Sequence, residues 1–123
     1  MKKINSSDMT TKDLVDRFAQ IGRLQDQALL GGQIAKFNRL FDQMAEISKE
    51  LKDRPGDERS ALMALYDFPN MQVRLKAAIH TLGIAPIEAR RQLEAIAQSK
   101  WFPQAGDAGM ALSNLDRGIF RPS

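Results

Sequence analysis

The chain carries few side chains able to do chemistry, and they are scattered. His80 is the only histidine and there is no cysteine. Thiolate nucleophiles, disulfides and cysteine-ligated metals are therefore excluded, and any histidine-centred metal site or Ser-His-Asp triad has to be built around one imidazole. No sequence neighbour of His80 supplies a partner for either. What His80 does have is company on a helical edge: Gln72, Lys76 and His80 recur at i, i+4 and i+8, and at about 100° per residue they project in one direction. An amide, an ammonium and an imidazole together offer hydrogen-bonding heads for recognition, although an ordinary solvated edge has the same pattern. Asp57-Glu58, adjacent acids at a helix start, fit capping and the helix dipole better than general acid–base work. Gly31-Gly32 and Gly106-x-x-Gly109 lack the preceding strand that a phosphate-cradling turn needs; they read as a turn and as close packing. Trp101-Phe102 in a short connection has the residue types of a partner anchor, but is expected to plug the end of the core. No catalytic, cofactor-binding or metal-binding residue is assigned, and Gln72, Lys76 and His80 are the partner-binding candidates.

The elements that must position these residues are all helical. Thr10 or Thr11 can cap a helix with Leu14, Val15, Phe18, Ile21 and Leu29 at helical spacing, ending at Gly31-Gly32. Ile34, Phe37, Phe41, Met44, Ile47 and Leu51 make one apolar stripe of a second helix, with Leu40 beside it, which Pro55-Gly56 breaks. Asp57 can cap a short third helix through Leu62, Leu65 and Tyr66 before Pro69. A fourth starts at Asn70; Pro86 opens a fifth and Pro103 a sixth, which Gly118 stops. In the fourth helix Met71, Leu75, Ala78, Ile79 and Leu82 form one apolar side and Val73 and Ala77 a second, so neighbours are expected on both sides and only the Gln72–Lys76–His80 edge is left free. No window alternates long enough to compete as a strand.

At 123 residues with 43% hydrophobic and 27% charged side chains, the chain has the balance of one globular domain that folds alone. A single domain over residues 1–123 is expected, with residues 1–9 disordered or frayed. Met1-Lys2-Lys3 is followed by polar residues rather than an apolar signal segment, and no apolar run is long enough to span a membrane. Cysteine-free composition and the missing signal point to the cytoplasm. The excess of basic residues, +3 overall, is spread evenly along the chain, which argues against the concentrated stripe of a nucleic-acid binder.

Val73-Arg74, Ala77-Ala78, Leu82 and Gly83 resemble the second helix of a HEAT or armadillo-like repeat, in which the valine, alanines and leucine are core and the arginine ties neighbouring repeats together rather than reaching a ligand. With Arg59-x-x-Leu62-x-x-Leu65, Pro86-x-x-Ala89-x-x-x-Leu93-x-x-Ile96-Ala97 and Asp107-Ala108 through Leu112, Leu115 and Gly118, residues 57–120 resemble the bacterial family called domain of unknown function number twenty-nineteen. The resemblance implies an all-α fold, a short α-α superhelix of about six helices in three hairpins, and no established activity. Phe68-Pro69 recurs as Phe102-Pro103 after 34 residues, a helical-hairpin period, with the last helix as an atypical cap. The expected function is a small non-catalytic protein-binding module of adaptor or toxin-immunity type, without cofactor or membrane attachment. A HEAT-like nucleic-acid binder is the alternative, and an enzyme a more distant one.

Overall fold

In the computed structural model, which describes residues 5–123, local capping chemistry sets most helix boundaries. Thr10 Oγ1 accepts from the Asp13 N–H at 3.1 Å and starts α1, Thr11–Leu30. The helix ends where Gly32 takes a φ of 67°; the Gln33 N–H then reaches Ala28 O at 2.8 Å and the Gly32 N–H reaches Leu29 O at 3.3 Å, the paired closure that satisfies the last carbonyls. A connection this short obliges α2, Ile34–Asp53, to run back along α1. Asn70 accepts from the Val73 N–H at 3.2 Å and starts α3, Met71–Thr81. Pro86 stands first in α4, Pro86–Gln98, and α5 covers Gln104–Asp116, with Gly118 at a φ of 71° just beyond it. Among the described residues there is no strand, and the fold is all-α.

The third helix read from the sequence is present but differently wound. Glu58–Leu65 is a 3-10 helix, and Asp57 is not an ordinary cap: it takes a φ of 51°. The reason is periodic. In a 3-10 helix residues three apart eclipse one another, and Arg59, Leu62 and Leu65 are the residues of this segment that are buried, three apart along one edge. An α-helical turn would rotate them away from each other.

The chain divides into two compact units, Met1–Ala61 and Leu62–Ser123. In the first, Leu14, Phe18, Ile21 and Ala28 of α1 and Leu40, Met44, Ile47 and Leu51 of α2 are buried. The apolar stripe of α2 is narrower than the sequence implies. Phe41 is 51% and Ile34 74% exposed, because the inward side runs through Leu40, one residue and about 100° away from Phe41. Leu29, expected to face inward, is exposed as well. The start expected to fray includes residues 1–4, which lie outside the described residues. Ser6–Asp8 forms one 3-10 turn, and Arg54 Nη2 donates to Met9 O at 2.5 Å while its Nε donates to Glu50 at 3.0 Å.

In the second unit α4 packs against both α3 and α5, and α3 also meets α5. Leu75, Ala78, Leu82, Ala89, Leu93, Ile96 and Ala108 make the buried cluster. Thr81 is fully buried and donates to Ala77 O at 2.8 Å. With that proton committed, the Tyr66 hydroxyl is the donor in its 2.6 Å contact with Thr81 Oγ1, and burial pushes the phenol up, which keeps it protonated. Gly83 lies so close to the backbone of Ser123 that a methyl group there would strike it.

Candidate functional site

The polar edge of α3 does not stand free. Gln72 is 1% exposed, and its Oε1 accepts from Gln104 Nε2 at 3.0 Å. This corrects the expected exposed ridge, and the physical reason is α5: it runs parallel to α3, with Gln72 and Gln104 each in the first turn of its helix. One turn further on, Lys76 is half-buried and feels the charge of Asp107 on α5. Burial lowers the ammonium pKa below that of an ordinary lysine, and Asp107 works in the opposite direction. His80 follows, also half-buried, in the last turn of α3. The three residues thus begin as a polar seam between helices and reach the surface only at Lys76 and His80. Arg74, expected to tie neighbouring repeats together, instead reaches back to the turn before its own helix, where Nε donates to Phe68 O at 2.6 Å.

The connection between α4 and α5 also departs from expectation. Trp101 is 63% and Phe102 69% exposed, so the aromatic pair does not plug the core; Gln104 and Ala105 are buried there instead. The backbone dictates this. Lys100 adopts a φ of 61°, reversing the chain after α4. Ser99 Oγ donates to Ile96 O at 2.6 Å and accepts from the Trp101 N–H at 3.1 Å, while Trp101 O accepts from the Ala105 N–H at 2.8 Å. Both polar groups of the Trp101 backbone are used, and its side chain is left to solvent. Phe102 lies over Gly106, whose missing side chain would sit 3.8 Å from the ring.

The sequence profile described as domain of unknown function (DUF2019) matches residues 12–116. The chain belongs to this family. No curated protein matches it at a significant level. Among solved structures, the crystal structure of the protein RPA1889 from Rhodopseudomonas palustris CGA009 is similar, with 61% sequence identity over 98% of this chain and 100% of that one and a TM-score of 0.95.

The remaining acidic candidates in this DUF2019 domain, Asp57 and Glu58, are each engaged by a different partner within the fold. The Asp57 carboxylate accepts from Arg59 Nε at 2.8 Å and Nη2 at 2.6 Å, and Glu58 accepts from the Thr11 hydroxyl. Arg59 is itself buried, so the pair is a clamp in which the guanidinium holds the Asp57 carboxyl below the usual aspartate range. A depressed folded-state pKa stabilises above the ordinary value of 3.8 and is lost as pH falls through the lowered one. In urea titrations at pH 6 the parent is therefore expected to outlast Asp57→Asn, with the gap closing below about pH 4. A gap that stays constant into acid would disprove the clamp. Among the described residues no group of three metal-ligating side chains comes together, and no helix is long and apolar enough to cross a membrane.

Proposed function

We propose that the protein is a non-catalytic protein-binding module of helical-repeat (HEAT- or armadillo-like) type, acting as an adaptor or as the immunity partner of a toxin. The observation that carries the reading is the aromatic pair: two large side chains more than half exposed on a turn in which both backbone groups of Trp101 are hydrogen-bonded. Solvent-exposed aromatics cost a soluble protein solubility unless a partner covers them, and tryptophan is among the residues that contribute most at protein interfaces. A pre-set turn lowers the ordering cost of binding. Sequential packing of α3, α4 and α5 supports the helical-repeat reading, and the absence of cysteine fits a reducing, cytoplasmic setting.

The test is differential capture. Parent protein and the Trp101→Ala/Phe102→Ala double variant, both verified as helical by circular dichroism, are used as baits against lysate of the source cells and against the proteins encoded beside it. At least one protein is expected to be retained by the parent and lost from the variant. Identical retention profiles would remove the reading.

A further inference from the structure

The outer face of α5, together with the turn before it, presents more than two aromatics. Gly106, Met110, Ser113 and Arg117 follow at helical spacing on the side opposite the buried Gln104, Ala105 and Ala108, and Met110 is 66% exposed. Between Phe102 and Met110 the surface is low. A side chain at Gly106 would meet nothing but the Phe102 ring, and one at Gly109 would meet nothing within 4 Å, so the backbone of a ligand can approach closely there.

Charge decides what kind of ligand fits. Of the acids on α5, Asp116 is held by Arg90 through bonds of 2.9 and 3.2 Å, and the charge of Asp107 acts on Lys76 of α3. The side chains of Lys100 and Arg117 at the two ends make no hydrogen bond or ion pair among the described residues. The strip is thus apolar from Trp101 to Met110, with Lys100 before it and Arg117 beyond Ser113 at its far end, and a helix of about 13 residues spans about 20 Å.

We infer that the strip of Trp101, Phe102, Gly106 and Met110, bracketed by Lys100 and Arg117, docks an amphipathic helix of another protein whose apolar side is flanked by carboxylates. This rests on the protein-binding reading and names the site and the partner's chemistry. Bound this way, the partner's apolar residues at i, i+3, i+4 and i+7 lie across the glycines between the aromatic pair and Met110, and its terminal acids reach the two cations.

Trp101 is the only tryptophan, so its fluorescence reports on this strip alone. The probes are two synthetic 16-residue amphipathic helical peptides with the same leucine and phenylalanine face, one flanked by glutamates and one by lysines, and vesicles of phosphatidylcholine with phosphatidylserine. The glutamate peptide is expected to give a saturable blue shift, at least tenfold tighter than the lysine peptide. Its affinity should fall at least tenfold in the Lys100→Glu/Arg117→Glu variant and weaken with added salt. Equal binding of both peptides, no shift with either, or a shift with the vesicles alone overturns the inference. If differential capture still yields a partner that needs Trp101 and Phe102, the protein-binding reading survives that failure; if capture also fails, both fall.

Discussion

Phe18→Ala lowers the stability of the protein by about 3 to 5 kcal/mol, the usual cost of deleting a fully buried phenylalanine when the surroundings cannot close over the space. Phe18 is fully buried in the middle of α1 and is the largest side chain with essentially no exposure among the described residues. A domain of this size is held together by about 5 to 15 kcal/mol, so this one change removes about a fifth of the margin or more. Equilibrium unfolding in urea measures it: the midpoint falls while the slope is preserved. The control is Ile34→Ser on the exposed start of α2, where an effect within about 0.5 kcal/mol is expected. A Phe18→Ala protein within about 1 kcal/mol of the parent would mean that α1 does not bury this face.

The second large effect is expected from adding rather than removing atoms. Ala77 and Ala78 are both fully buried, and Ala78 lies in the cluster with Leu75, Leu82, Ala89 and Leu93. Enlarging Ala78 to leucine forces these neighbours off their rotamers at a cost of about 1 to 3 kcal/mol. Lys76→Leu, two positions back on a half-buried face, has room for its new side chain and should melt within a few degrees of the parent. Thermal unfolding followed at the helical signal separates the two. If Lys76→Leu melts far lower than Ala78→Leu, α3 is rotated relative to the description above.

What could be read in advance was whatever is decided within one turn of chain. The caps at Thr10 and Asn70, the proline that opens α4 and the glycine stops at Gly32 and Gly118 act on their own neighbours, and each marks a boundary. The 3-10 winding was not legible: residues 61–66 are all apolar, so the period of three that burial gives Arg59, Leu62 and Leu65 does not stand out in the sequence. The candidate site was poorly legible too, for a different reason. Whether Gln72 meets water depends on Gln104, 32 residues away, and nothing in the local pattern of α3 reveals which neighbour will lie along its edge. Likewise Trp101 faces out because Lys100 adopts a positive φ, a backbone choice that residue type alone does not declare.

The polar seam of α3 and α5 also acts as a ruler. Two parallel helices joined only by alanine and leucine contacts can slide past each other by a turn, about 5.4 Å, and find comparable packing. An amide pair cannot, since a one-turn slip would leave two buried amides facing apolar atoms, a cost of about 1 to 3 kcal/mol for each group. The bond between Gln72 and Gln104 therefore selects a single register. The strip on the far side of α5 inherits its position along the molecule from that choice, so a substitution such as Gln72→Leu should blur the placement of Met110 and Arg117 without touching either.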